Sequence, residues 1–212
     1  MKPYLVKTPK FVQWIFPRRR WAFSHKSPKV YLTFDDGPIP EVTPWVLDLL
    51  RKYNAKATFF CIGDNVRKHP KIFKQLLSEG HTFGNHTFHH LKGTKTETSE
   101  YLNDVALFEA EIRNHHVTAS KLFRPPYGKL TGKQAELLTK QGYQIIMWNV
   151  LSADFDSEIS EEKCLKNVIK NINPGSIVVF HDSLKAEKKL RYVLPKVLEF
   201  TSKKGWSCES IS

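Results

Sequence analysis

The sequence predicts a parallel α/β fold whose strands curl into a closed or nearly closed barrel. Three observations carry this expectation. Past residue 29, seven short runs rich in β-branched and aromatic residues alternate with six amphipathic stretches. That alternation is what parallel strands joined by right-handed crossover helices produce. The chain has 212 residues, 41% of them hydrophobic, which suits one substantial core better than two. Finally, polar residues of unusual type follow many different strands. In a barrel the C-terminal strand ends converge on one mouth, whereas an open sheet spreads them along a line.

Taken in order, strands are expected at 30–34, 57–62, 81–84, 121–124, 144–148, 176–180 and 206–209. Helices fill the gaps. The first, 43–53, places Val46, Leu47, Leu49 and Leu50 on its apolar side. The second, 70–79, stops at Gly80. Others are expected at 99–114, 132–141 (stopped by Gly142), 161–172 and 186–203. Two parts follow, a basic aromatic segment 1–29 and a catalytic domain 30–212.

The net charge of +12 is unevenly placed. Residues 1–29 carry Lys2, Lys7, Lys10, Arg18, Arg19, Arg20, Lys26 and Lys29 and no acid, while the remainder holds 25 basic and 21 acidic residues. The same segment interleaves Phe11, Trp14, Ile15, Phe16, Trp21 and Phe23. Two readings stand. The segment could attach peripherally to an anionic membrane surface. Alternatively, its aromatics cap an open side of the core while its cations stay in water. No stretch is long and apolar enough to span a bilayer, and no clean signal-peptide core precedes a cleavage site. On sequence alone this favours the cytoplasm or a peripheral place at the inner membrane. The near-neutral remainder makes a weak case for a polyanion groove, so no nucleic-acid partner is expected. Three cysteines, Cys61, Cys164 and Cys208, lack ligand-like spacing, and Cys61 reads as a buried free thiol. A monomer is expected.

Asp35 and Asp36 end the first strand and meet Gly37-Pro38 at once. On extended backbone successive side chains face opposite ways, so one carboxylate can face a cation and its neighbour a reacting water. His86 and His90 follow the third strand at i, i+4 spacing, one turn apart if helical. With Asp36 they form a three-donor face with a position left open, as catalytic metal sites require. Zinc is the first choice for two nitrogens and one oxygen, and the donor set also admits cobalt, nickel or iron. His86 with His89 at i, i+3 is a rival pairing, and a solvated histidine loop is a third reading. After the fourth strand, Arg124-Pro125-Pro126-Tyr127 sets a cation before a rigid turn whose N–H groups could be aimed at an oxyanion. Asp154 follows the fifth strand, and His181 ends the sixth as a general-acid candidate that Asp154 could orient.

With these residues in place the chain resembles the polysaccharide deacetylases of the NodB-homology type, carbohydrate esterase family 4, over about residues 28–210. Five motifs occur in family order: Thr33-Phe34-Asp35-Asp36-Gly37-Pro38, His86-Thr87-Phe88-His89-His90, Arg124-Pro125-Pro126-Tyr127, the segment around Asp154-Phe155, and Val179-Phe180-His181-Asp182. The resemblance implies a distorted (β/α)7 barrel with outer helices. It implies Asp36, His86 and His90 as metal ligands and Asp35 as general base held by Arg124. It further implies an oxyanion contact from the Tyr127 N–H, and His181 as general acid tuned by Asp154. Val179, Phe155 and Pro126 would line the substrate pocket, Val179 where the family usually has leucine. Leu151 and Phe155 depart from the common fourth motif and bear on substrate preference rather than on the chemistry.

The implied activity is removal of N-acetyl groups from a peptidoglycan- or chitin-like amino-sugar glycan by activated water, an Asp base and a His acid. The family's substrates place such enzymes in the cell envelope. Rival functions are O-deacetylation of an acetyl-xylan-like polymer by the same residues, and a non-catalytic glycan-binding barrel. A metal-dependent phosphoesterase is a third, disfavoured by the charge distribution.

Overall fold

The computed structural model describes residues 4–212; Lys2 of the basic segment lies outside the described residues. The elements run α1 (Lys10–Ile15), β1 (Arg19–Arg20), β2 (Lys29–Asp35), α2 (Thr43–Lys52), β3 (Thr58–Cys61), α3 (Gly63–Lys68), α4 (Pro70–Ser78) and β4 (Thr82–Asn85). They continue through α5 (Thr98–Asn114), β5 (Leu122–Phe123), α6 (Gly132–Lys140), β6 (Gln144–Ile146), β7 (Val150–Leu151), α7 (Glu161–Ile169), β8 (Ile177–His181), α8 (Glu187–Lys203) and β9 (Ser207–Cys208).

All seven expected strands and all six expected helices form. The sheet is parallel, in the order β1-β6-β5-β4-β3-β2-β8-β7, with β9 added to β2. It curls into a half-barrel that is open between β6 and β7. Residues 147–149 span that opening covalently, and the N-terminal segment is laid across it. Arg19 and Arg20 pair with Ile145 and Ile146, the Leu151 N–H donates to the Val6 carbonyl at 2.8 Å, and the Thr8 N–H donates to Asn149 at 3.1 Å. Trp21 is buried. This much of the segment therefore behaves as the cap that the sequence offered as one of two readings.

Strand alternation sorts the side chains by face. Along β2, Leu32 and Phe34 point outward into the main core beneath α2, α4, α7 and α8, while Tyr31 joins an interior cluster with Phe60, Ile146 and Ile177. Thr33 and Asp35 share that inner face, where both accept from Arg124. Period two along one strand thus packs the core and delivers a carboxylate to the mouth. β6 stops at Ile146, short of the expected 148. The Ile146 and Met147 carbonyls accept from the Arg124 side chain at 3.2 and 3.0 Å instead of continuing a ladder. β1, β7, α1 and α3 were not expected from sequence; pieces of two to six residues carry too few positions for a period to show.

The three cysteines are buried free thiols. No helix among the described residues is long and apolar enough to cross a membrane. Phe34 is fully buried and stacks on Phe59 at 5.0 Å and on Phe180 at 5.8 Å. Truncating it leaves a cavity joining three strands, so Phe34→Ala should lower stability by about 3–5 kcal/mol. Urea unfolding with an unchanged slope checks this; a loss under about 1 kcal/mol would place the core elsewhere.

Candidate active site

The barrel mouth holds a cleft of about 460 Å³ lined by Asp35, Asp36, His86, His90, Tyr127, Phe155, Val179 and His181, among others. Its polar half is built around Arg124, which is fully buried. Its Nη1 donates to Asp35 Oδ1 and to Thr33 Oγ1, both at 2.7 Å. Nε and Nη2 take the two β6-end carbonyls described above, and the guanidinium lies over the Phe60 ring at 4.1 Å. The backbone carbonyl of the same residue accepts from His86 Nδ1 at 2.7 Å. Arg124 thus fixes one carboxylate with its side chain and one imidazole with its main chain.

The hydrogen bond at Nδ1 puts the His86 proton there and leaves the Nε2 lone pair free for a ligand. That nitrogen is 3.8 Å from Asp36 Oδ1, and His90 Nε2 is 3.4 Å from the same oxygen. One donor atom from each of Asp36, His86 and His90 lies within 4.8 Å of the others. Burial pulls the His86 pKa down to about 3, helped by the neighbouring His90, and burial lowers that of His90 as well. Both rings are therefore neutral donors at ordinary pH. Two neutral imidazole nitrogens and one carboxylate oxygen, converging on one point, fit a divalent ion of the zinc type.

The i, i+4 spacing works by a different route from the expected helical turn. Residues 86–90 form a loop in which Thr87 (φ 64°) and His90 (φ 59°) adopt left-handed backbone. The loop is pinned from two sides. Gly63 and Asp64, opening α3, donate their N–H groups to the Thr87 and Phe88 carbonyls at 3.0 and 3.1 Å. The buried Asp104 of α5 accepts from the Phe88 and His89 N–H groups at 2.9 Å each and from His89 Nδ1 at 2.5 Å. His89 is thereby turned away from the cluster, which removes the rival i, i+3 pairing. His81 is elsewhere, taking the Ala57 N–H.

The two adjacent carboxylates also separate otherwise than by strand alternation. Asp35 ends β2, but Asp36 has φ 85°, so a turn rather than an extended chain divides them. Asp182 holds this turn. It accepts from the Gly37 N–H at 3.0 Å and the Thr43 hydroxyl at 2.6 Å. A Cβ at position 37 would lie 2.0 Å from Asp182 Oδ2, so only glycine fits.

Asp35 and His181 occupy paired positions on β2 and β8. Fully buried Asp154 accepts from the His181 N–H and from its Nδ1, each at 2.8 Å, so the His181 Nε2 is left to the cleft. Burial pulls the His181 pKa down, but the Asp154 charge and hydrogen bond, with Asp36 and Asp35 behind, push it up to about 9. The imidazole is held protonated at neutral pH. Opposite, Tyr127 sits at φ 59° and, among the described residues, no acceptor takes its N–H. Gly128 follows at φ 65°, where a Cβ would meet Trp148 at 2.6 Å. The apolar wall combines Val179 and Leu151 with Tyr4, Trp148 and Phe155.

Of the pocket residues expected from sequence, Val179 and Phe155 line the cleft, whereas Pro126 is buried beneath the turn and does not. Tyr4, Ser183 and Lys185 were not foreseen as lining residues. Tyr4 reaches the cleft through its hydroxyl on Asp156 at 2.8 Å, a contact across 152 positions that leaves no local signal. Ser183 and Lys185 closely follow His181, and that proximity was the available clue.

A half-open α/β barrel with a metal-fitting triad, an arginine-held carboxylate and a carboxylate-backed imidazole at its C-terminal mouth has the layout of a hydrolase. Residues 24–146, more than half of the chain, match the polysaccharide deacetylase family model, and the chain belongs to that family of hydrolases. It is 39% identical over 165 residues to a peptidoglycan-N-acetylglucosamine deacetylase of Bacillus cereus, covering 77% of this chain and 60% of that one. A second Bacillus cereus protein of the same name is 35% identical over 91% of this chain and 90% of its own. A solved peptidoglycan N-acetylglucosamine deacetylase superposes with a TM-score of 0.88 at 32% identity, covering 96% of this chain and 95% of the other.

Replacing Asp154 by Asn removes the largest influence raising His181 and leaves burial opposed only by the more distant Asp36 and Asp35. In metal-free protein the wild-type imidazole should titrate near 9, and Asp154→Asn should titrate clearly lower. Histidine NMR titration reads both. An unchanged midpoint would mean that Asp154 does not set this proton.

Proposed function

We propose that this chain hydrolyses N-acetyl groups from an amino-sugar glycan of the peptidoglycan or chitin type, with zinc as the preferred metal. The observation that carries the reading is the convergence on one cleft of an Arg124-fixed carboxylate and an Asp154-backed imidazole, beside the Asp36-His86-His90 donor set. The relatives' shared name supports the acetamido sugar as substrate class. By that substrate, the workplace would be the cell envelope.

Amide hydrolysis needs a deprotonated water, a stabilised oxyanion and a protonated leaving amine. A divalent ion held by Asp36, His86 and His90 would supply Lewis acidity, polarising a carbonyl and lowering the pKa of a water. Asp35 takes the water proton on its carboxylate; its hydrogen bond to Arg124 holds the accepting oxygens in place. As the acetyl carbon becomes tetrahedral, the Tyr127 N–H donates to the oxygen that gains charge. His181 delivers the Nε2 proton to the sugar nitrogen, the C–N bond breaks, and acetate and a free amine result. Asp154 keeps that proton available at neutral pH. Val179 and Leu151 give the acetyl methyl an apolar seat.

Acetate release from peptidoglycan fragments, chito-oligosaccharides and acetyl-xylan, with chelator and zinc add-back, tests this. Release from the N-acetylated substrates, abolished by chelator and restored by zinc, is expected. Release from acetyl-xylan alone would replace the amide by an ester, and no release from any substrate would favour a glycan-binding barrel. Asp35→Asn should keep zinc yet lose on the order of 10²–10⁴ in kcat. His86→Ala should lose both zinc and turnover. Near-normal turnover in either variant would overturn the assignments.

A further inference from the structure

Helix α1 buries none of its residues. Its Phe11, Trp14 and Ile15 stand at i, i+3 and i+4, one face of a helix, and are 59%, 77% and 63% exposed. Phe16 after the helix and Leu5 before it are exposed as well, at 40% and 58%. Exposed large apolar side chains are thus concentrated in one twelve-residue stretch, and burial within the fold does not account for them.

This stretch is held at both ends. Before α1, Thr8 donates its hydroxyl to the Trp148 carbonyl at 2.9 Å and its N–H to Asn149. After it, β1 pairs with β6, and Trp21, itself buried, donates Nε1 to the Phe16 carbonyl at 3.3 Å. Val12 packs toward the core, so the helix cannot roll Phe11, Trp14 and Ile15 inward without breaking these anchors. The apolar face is presented outward by the fold.

Cations predominate around it, and Glu136, which lines the adjoining groove beside Arg18, is outnumbered. Arg18 and Arg20 are exposed, Arg19 lies over the Phe16 ring at 4.3 Å, and Lys10 opens the helix. No acidic residue occurs in residues 1–29. An aromatic and aliphatic ridge ringed by arginine and lysine matches the boundary between acyl chains and anionic headgroups. A neutral glycan strand would offer these cations hydrogen-bond acceptors but no opposite charge.

We propose that the outward face of α1 and the arginines after it form a docking surface for an anionic phospholipid bilayer. A groove lined by Ile15, Phe16, Arg18 and Arg19 on one side reaches Gly128 and Lys129 on the other. Gly128 also lines the catalytic cleft. Docking through α1 therefore brings the cleft mouth close to the lipid surface and favours glycan presented there.

The full chain is floated with vesicles of equal parts phosphatidylcholine and phosphatidylglycerol, and with phosphatidylcholine alone. Flotation with the anionic vesicles only, reversed by high salt, is expected. Trp14→Ser, and separately Arg18→Ser with Arg20→Ser, should each weaken vesicle binding on the order of tenfold or more, with unchanged thermal unfolding. Equal binding to neutral vesicles, absence of flotation, or full binding by the variants would overturn the proposal. So would Trp14-dependent sedimentation with insoluble peptidoglycan without vesicle binding, which would give the patch to a glycan. Vesicle binding is read without turnover, so its failure leaves the deacetylase reading standing.

Discussion

The site depends on a guanidinium placed where no water can reach it. Arg124 meets the cost of its own burial only because each face of its fork finds an acceptor: Asp35, Thr33 and two carbonyls at the end of β6. A buried cation left short of partners is strongly destabilising, so these acceptors are fixed once the residue is inside. The consequence is mechanical as well as electrostatic. Three strands are tied to one side chain, β6 is cut short, and the carbonyl of Arg124 is left facing His86. The carboxylate proposed as base and one proposed metal ligand therefore answer to the same residue.

Around that anchor, support for each group at the mouth comes from residues that do not line the cleft. Asp104 and the first turn of α3 bend the His86–His90 loop, Asp182 and Gly37 shape the turn that separates Asp35 from Asp36, and Asp154 orients His181. Each supporting carboxylate accepts two or more hydrogen bonds, which fixes geometry more tightly than a single contact would. Several residues near the mouth, including Asp36, Thr87, His90 and Tyr127, hold left-handed backbone. Such conformations cost stability and persist where surroundings over-determine them, as they do here.

Much of this was legible in the sequence, for identifiable reasons. Strand-end motifs are local, so Asp35, Asp36, Arg124 and His181 announced both their strands and their common mouth. Asp36, His86 and His90 do converge, but through a pinned loop and a turn, since spacing alone cannot distinguish four residues of helix from four of loop. What distant packing decides was hidden. The closure of the β6–β7 opening by residues 6–20, the arrival of Tyr4 in the cleft, and the burial of Pro126 below its turn all depend on segments far apart in the chain. Arg124 was expected to hold Asp35, yet nothing in Arg-Pro-Pro-Tyr told that its whole fork would be buried. The role of Asp182 was equally silent, although a glycine after two aspartates hinted at a close approach.

Arg124 thus positions the proposed base and a proposed metal ligand together. The direct measurement is zinc affinity by calorimetry alongside acetate release, for Arg124→Lys against wild type, with circular dichroism to verify the fold. Lysine keeps a charge for Asp35 but cannot reach the Thr33 hydroxyl and both carbonyls at once. Zinc binding should weaken by about 10–100-fold, with a parallel collapse of turnover. Wild-type zinc affinity and wild-type turnover in a folded Arg124→Lys protein would contradict it.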